Sequence, residues 1–453
     1  MRPLSHPRPL GLARKLERII WPTALATKPY LSTSPEPSTG YFSLAHEDIP
    51  PIYRGAVVSD PAVAPAGRRH TPLVAVVSPM PEALLTDSPP SGVALYTSRL
   101  LETYDGDWDV VALGQTKSQP SASTARVTAL PTWRPGWQGV WDVVTKLRRL
   151  RPHVIHVQHE LRLYGGIMPT LGLILSLNWF RWRGTHIVIT LHGVPHPSDI
   201  KSQGILPPLP GGGQLAKRLM VLYLWLILAS SDAIVVLSAV FRQRLFEMFP
   251  SQATKVHVIP LGVDAKRAQV RGRRNRGARS RPHAIAFGFL TSYKSPELIL
   301  DACEQGLLDD FLITLSVARN PRADSPQMKS RYQALCVRAS RLPQMTWRQY
   351  LSDAELADLL CRADVLILPY TACVSSSAVA ALAEGADVPI AYSKPLEELF
   401  GKTLASFELT AQSLADAVRA AVREDVVVRM PHALWSEVGA ATFSLWQGTR
   451  LQV

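Results

Sequence analysis

Cysteine is scarce in this 453-residue chain, and the four present (Cys303, Cys336, Cys361 and Cys373) form no Cys-x-x-Cys pair. That excludes a disulfide scaffold and a zinc ribbon and makes a reducing compartment the expected setting. Long apolar runs are also lacking. Leu219–Ala229 is eleven residues, about half of what a bilayer-crossing helix needs. Gly165–Phe180 is broken by Pro169 and Asn178. Both read as buried helices of an α/β domain, although their apolarity also suits a helix resting on a membrane. Acidic residues are outnumbered, 36 against 49 Lys and Arg, for a net charge of +13. With 47% hydrophobic residues, the composition excludes full-length disorder and a collagen-like repeat. The length fits two moderate domains plus extensions.

The charge is unevenly placed. Residues 1–70 hold nine basic and five acidic side chains, and Ala265–His283 holds eight basic ones and no acid. Together these stretches carry +12 of the +13. The second lacks apolar residues to bury, so it reads as a solvated linker. Neither stretch interleaves cations with aromatics, so no nucleic acid is expected; an anionic lipid is the better candidate ligand. Residues 1–70 are rich in Pro and Ser without periodicity and are expected to be loosely attached. They open with cations but no apolar core, which argues against a secretory signal, and Glu17 and the prolines weaken a transit-peptide reading. The expected location is cytoplasmic, with an anionic membrane as a peripheral contact.

From Thr71 onward, short β-branched runs alternate with helical spacing. LVAVVSP (73–79), DVVALG (109–114), HVIHVQ (153–158), HIVITLHG (186–193), AIVVLS (233–238) and KVHVIPLG (255–262) are predicted strands. After the basic run the pattern restarts with AIAFGFL (284–290), FLITLSV (311–317), MTWRQYL (345–351), DVLILPY (364–370) and VPIAYS (388–393). Helices lie between them, one opened by the capping box Ser352–Glu355. Buried strands alternating with helices predict parallel sheets covered on both faces. The fold class is therefore α/β, with two doubly wound Rossmann-like domains facing across a cleft. Ligand binding is expected at the carboxyl ends of the sheets.

Eight segments in order, from LVAVVSP…PPSGVALYTSRLL through RPHVIHVQHE, ITLHGV, SDAIVVLS, KVHVIPLGVD, AIAFGFLTSYKSPELILDA and YLSDAELADLLCRADVLILPY to SSSAVAALAEGADVPIAYS, resemble the GT-B glycosyltransferases. The likeness is to the retaining, family 4-like group (glycosyl transferases group 1) and covers roughly Leu73 to Ser393. It implies an extension over 1–70, an acceptor domain over 71–263, a linker over 264–283 and a nucleotide-sugar domain over 284–430. A C-terminal helix within 431–453, around Trp435–Ser436, would cross back to the first domain. The implied activity is that of a hexosyltransferase. It would pass a sugar from a nucleotide sugar to a glycan or lipid-linked acceptor, with retention, in polysaccharide or glycoconjugate biosynthesis. Neither a cofactor nor an obligatory metal is expected.

The resemblance also names site residues. Lys294 matches the lysine that contacts the leaving diphosphate, where developing charge must be stabilised. A solvated loop lysine is its plainer reading. Ser375, Ser376 and Ser377 sit where a strand–loop–helix turn aims N–H groups at phosphate, and could equally cap the helix. Phe289 and Tyr370 end donor-side strands. His192 matches a histidine at the sugar site, against an ordinary loop histidine. Gly92 and Tyr96 on the first helix, with His159 and Glu160 at another strand end, are placed on the acceptor side. Gly92 lacks a side chain that would block a ligand.

Two departures stand out. The family's glutamates separated by seven residues fall at Ala372 and Ala380, and the usual arginine after the second half's first strand glycine is replaced by Phe289. These losses motivate an alternative, a catalytically silent GT-B protein that binds a sugar nucleotide or supports a partner enzyme. A GT-B epimerase or phosphorylase is a weaker reading. Asp105-Gly106-Asp107-Trp108-Asp109 has the acidic spacing of metal-dependent transferases, but Gly106 reads as a turn. Gly211-Gly212-Gly213 follows prolines rather than a strand, so it is not expected to hold phosphate.

Overall fold

Valine and isoleucine dominate the buried strands of the first sheet, whose central members leave almost no side chain in contact with water. The computed structural model describes residues 71–80, 91–116, 126–196, 213–263, 280–319, 325–349, 351–424 and 432–448. The expectations for 1–70, for most of the basic stretch 264–283 and for Gly211 and Gly212 lie outside them.

The first half runs β1 (Leu73–Val77), α1 (Gly92–Glu102), β2 (Asp109–Gln115), β3 (Val127–Trp133), α2 (Trp137–Leu150), β4 (Val154–His159), α3 (Ile167–Trp182), β5 (His186–Leu191), α4 (Gly213–Ala229), β6 (Ala233–Val236), α5 (Ala239–Met248) and β7 (Val256–Val258). Its seven parallel strands lie in the order β3-β2-β1-β4-β5-β6-β7. One face is covered by α2, α3 and α4, whose inward Val143, Leu147, Leu173, Leu177, Leu224 and Ile227 share a core with the sheet.

The second half comprises β9 (His283–Phe289), α6 (Glu297–Glu304), β10 (Leu312–Ala318), α7 (Pro326–Ala339), β11 (Met345–Arg348), α8 (Asp353–Arg362), β12 (Val365–Leu368), α9 (Ala378–Gly385), β13 (Ile390–Ser393), α10 (Glu397–Phe400), β14 (Ser406–Phe407) and α11 (Ala411–Arg423). Six parallel strands lie in the order β11-β10-β9-β12-β13-β14. The α8 capping box forms as expected, with Ser352 and Glu355 each satisfying the other's backbone N–H. Two parallel, doubly wound sheets are thus the architecture.

Two details differ from the sequence reading. β3 is not among the strands read from the sequence, and Pro131 lies within it. It sits at the sheet edge beside an irregular register at Gly114/Gln115, where a missing N–H costs no ladder bond. KVHVIPLG is not one strand. It divides before Pro260, and β8 (Leu261–Val263) leaves the sheet to pair in parallel with β15 (His432–Leu434). The chain leaves the first half and returns toward it along this two-stranded ribbon. Beyond β15, α12 (Trp435–Trp446) packs Val438, Leu445 and Trp446 into the core that holds Val74, Val76 and Leu100. A Cβ on Gly439 would come within 2.2 Å of Thr103 Oγ1, so α12 approaches the end of α1 closely.

Candidate active site

The carboxyl ends of the two sheets meet through backbone. Gly193, one residue beyond His192 at the end of β5, bridges Ser375 in the loop after β12. A Cβ on Gly193 would lie 2.4 Å from the Val374 carbonyl, so glycine permits this approach. Arg244 of α5 reinforces it. Its guanidinium is buried, donates to the carbonyls of Val194 and Cys373, and forms a bidentate pair with Glu398 of α10. One side chain from the first half therefore holds the His192 loop, the serine loop and a second-half helix. Nothing local in the sequence marked Arg244.

On the donor side, Lys294 lies in the loop between β9 and α6 and forms a backbone bridge with Tyr370. Its Nζ lies 5.2 Å from the Tyr370 ring centroid. Burial lowers its pKa, offset in part by Tyr293. Room for the ammonium comes from Gly288: an added Cβ there would lie 3.0 Å from Nζ, and φ is +121°. Arg331 of α7 clamps this loop, with both Glu297 oxygens and the Thr291 and Lys294 carbonyls as acceptors at 2.6–2.9 Å. Burial would raise the Glu297 carboxyl, but the Arg331 hydrogen bonds outweigh it and its pKa falls.

Tyr370 is buried and its phenol is pushed up to about 12, chiefly by that burial, while a hydrogen bond from Ser377 opposes the shift. The Tyr293 ring meets that of Tyr370 edge-on at 5.6 Å. Burial raises the Tyr293 phenol, with smaller contributions from Lys294, Ser375 and Glu160. Exposed Glu160, the residue after β4, is thus near enough to Tyr293 for its charge to be felt there. Of the three serines, Ser377 is the helix cap: its Oγ accepts the Ala380 N–H at 3.2 Å. Ser376 Oγ, at the mouth of α9, is buried and has no hydrogen-bond partner among the described residues. Buried hydroxyls rarely stay unsatisfied, so this one fits a site that a polar ligand completes. Phe289 is half-buried at the end of β9. Ala372 and Ala380 are buried, so the two departures put methyl groups where the resemblance expects carboxylates.

On the acceptor side, β4 carries polar residues into a buried strand, and each must find a partner. Trp446 of α12 can only donate, so its indole N–H at 3.2 Å makes His156 Nδ1 an acceptor. The His156 proton then sits on Nε2, 2.8 Å from Thr190 Oγ1. Burial depresses His156 to about 3, which keeps it neutral. The Gln158 amide lies between His156 (3.3 Å) and His192 Nε2 (2.8 Å). With Nε2 protonated, His156 links the C-terminal helix to Thr190, and the neighbouring Gln158 holds His192 separately, its Oε1 accepting from His192 Nε2. The His192 ring meets Tyr96 edge-on at 4.9 Å, and the buried Tyr96 hydroxyl has no partner among the described residues. Gly92 is exposed with open space at its Cβ position, while Ser91 caps α1. His159 is not presented to the cleft. It is buried, its Nε2 lies 2.7 Å from the Tyr223 hydroxyl of α4, and burial lowers it to about 4. That hydrogen bond occupies Nε2, while Nδ1 has no partner among the described residues.

Gly106–Trp108 bend the chain into β2, which Asp109 opens: the Tyr104 hydroxyl accepts from the Trp108 N–H and donates to its carbonyl, each at 3.0 Å. Among the described residues no group of three His, Cys, Asp or Glu side chains is placed to hold a metal ion. A cavity of about 210 Å³ between Tyr104, Trp108, Phe443 and Trp446 contains none of the cleft residues.

Residues 91–262 match the family model for a glycosyl transferase 4-like domain. No curated protein is detectably similar in sequence. Among solved structures, sucrose-phosphate synthase from Thermosynechococcus elongatus superposes with a TM-score of 0.60 at 15% identity, over 83% of this chain and 98% of that one. The catalytic domain of starch synthase IV from Arabidopsis thaliana, bound to ADP and acarbose, gives 0.56 at 12% identity, over 83% and 99%. Anabaena Alr3699/HepE with UDP-glucose gives 0.54 at 14% identity, over 82% and 94%. With two facing parallel sheets, the chain has the GT-B fold of these structures, and its residues 91–262 are similar to the glycosyl transferase 4-like domain.

Proposed function

We propose that the protein is a retaining hexosyltransferase that moves a sugar from a nucleotide sugar to a glycan or lipid-linked acceptor, in polysaccharide or glycoconjugate synthesis. The observation that carries this reading is the donor-side cluster, in which the half-buried Lys294 ammonium, the Ser376 hydroxyl without a partner among the described residues and the N-terminus of α9 lie around Tyr370. A helix N-terminus and a desolvated cation together favour a diphosphate, and they stabilise it most as negative charge grows on the leaving oxygen. The bond from the anomeric carbon to the diphosphate breaks, the acceptor oxygen bonds that carbon on the same face, and the departing phosphate oxygen takes the acceptor's proton. His192, held through Nε2 by Gln158, stands at the end of β5 beside the serine loop, where the sugar would lie. The solved structures with bound UDP-glucose or ADP support a nucleotide-sugar donor by analogy of fold. No resident cofactor or metal enters this scheme.

A thermal-shift screen against GDP-, UDP- and ADP-sugars tests the proposal, because a ligand that binds only the native state raises its apparent stability. At least one class should raise the melting temperature, and Lys294→Ala should abolish that rise. No shift with any class sinks the reading. The alanines at 372 and 380 favour a second reading, a silent sugar-nucleotide-binding protein that supports a partner enzyme. A nucleotide-sugar shift combined with full biological effect in both Lys294→Ala and His192→Ala variants would select it.

A further inference from the structure

We propose that the outer surface of α2, α3 and α4 is a docking face for an anionic lipid bilayer, deepening the transferase reading by placing its acceptor at a membrane. On that surface Trp137, Met168, Leu215, Leu219, Leu222 and Trp225 are exposed, Trp137 and Met168 each by 60% and Leu222 by 50%. The stripe on α4 recurs at helical spacing on the side opposite buried Met220, Leu224 and Ile227. This helix is therefore apolar on the face toward the core and apolar on the face toward solvent. A globular protein gains nothing from the second face in water.

The charge on these helices selects the occupant. Residues 137–150, 167–182 and 213–229 contain six Lys or Arg and one acid, Asp142, which accepts a hydrogen bond from Gln138 at 3.0 Å. Lys217 and Arg218 lie beside the α4 stripe, and neither forms an ion pair among the described residues. Exposed leucines and tryptophans bordered by cations match the acyl–headgroup boundary of an anionic leaflet. The helices, at 16 and 17 residues for α3 and α4, rise about 24–26 Å and do not span a bilayer core of about 30 Å. No described helix is long and apolar enough to cross a membrane. They can rest on one, with the sheet behind them.

The face also adjoins the site. Tyr223, next to exposed Leu222 on α4, holds His159 at 2.7 Å, and Glu160 follows directly at the cleft. A bilayer on this face brings its headgroups to the acceptor side.

Co-flotation of the full chain with vesicles of phosphatidylcholine, with or without phosphatidylglycerol, tests the assignment. Wild-type protein should float with the phosphatidylglycerol vesicles. A Leu219→Ser/Leu222→Ser/Trp225→Ser variant should bind them at least about tenfold more weakly, with an unchanged melting temperature. Lys217→Glu/Arg218→Glu should also weaken binding, and added salt should weaken the wild type further. The proposal is overturned if wild type does not float. It is also overturned if both variants float like wild type, because another basic stretch then does the work. A concentration-dependent dimer that the serine variant makes monomeric would overturn it too, assigning the face to a second copy. Vesicle binding that behaves as expected in a protein showing no nucleotide-sugar shift would leave this face standing and sink the transferase reading instead.

Discussion

His156 and His159 show how single polar residues shape this site from inside a strand. Both are buried and neutral, at about 3 and 4 against an unfolded value near 6.5. Below pH 6.5 the unfolded chain binds protons that the native one does not, so stability falls as pH falls, from about 6.5 toward the folded values. At pH 5 each histidine contributes a loss of about 2 kcal/mol. Melting temperatures from pH 7.5 to 5 should decline, and His156→Gln should decline less steeply. An unchanged slope in that variant would contradict the assignment of His156 as buried and uncharged. Gln158, two residues on from His156, holds His192. Gln158→Leu removes the partner of His192 Nε2 and should cost about 1–3 kcal/mol, read by urea unfolding.

Loops rather than single residues present the donor-side cluster. The β9–α6 loop keeps Lys294 in place because Arg331 accepts no alternative: its four acceptors span Thr291 to Glu297. Gly288 opens the space for Nζ from a backbone conformation that side chains avoid. Gly288→Ala should therefore destabilise the fold by about 1–3 kcal/mol and displace the ammonium. Its nucleotide-sugar thermal shift should shrink relative to wild type; an undiminished shift would separate Lys294 from donor binding. Arg331→Lys should not restore an Arg331→Ala loss, since an ammonium cannot fork onto a carboxylate and two carbonyls. Lys294, Tyr370 and the serines stand at strand ends, where alternation of strands and helices in the sequence already pointed. The Arg331 clamp was not legible, since its partners lie 34 to 40 residues away.

At the scale of the molecule, Arg244 joins the halves. Replacing it with alanine strips the Val194 and Cys373 carbonyls of a donor, whereas half-exposed Glu398 can turn to water. Arg244→Ala should cost about 2–4 kcal/mol and loosen the Gly193–Ser375 bridge, visible as faster amide exchange in both loops. Unchanged exchange there would show that the backbone contact alone holds the cleft.

Sequence by itself determined the two doubly wound halves, because buried strands and covering helices write their periods locally. It determined the α8 cap and the break in family pattern at Ala372 and Ala380 for the same reason. Tertiary structure alone decided that Pro131 lies in an edge strand, that His159 turns to Tyr223, and that Trp446 reaches His156 from 290 residues away. Periodicity reports what a residue does to its own element. Partners for buried hydrogen bonds and charges are chosen in space, by which chain segments the sheets bring together.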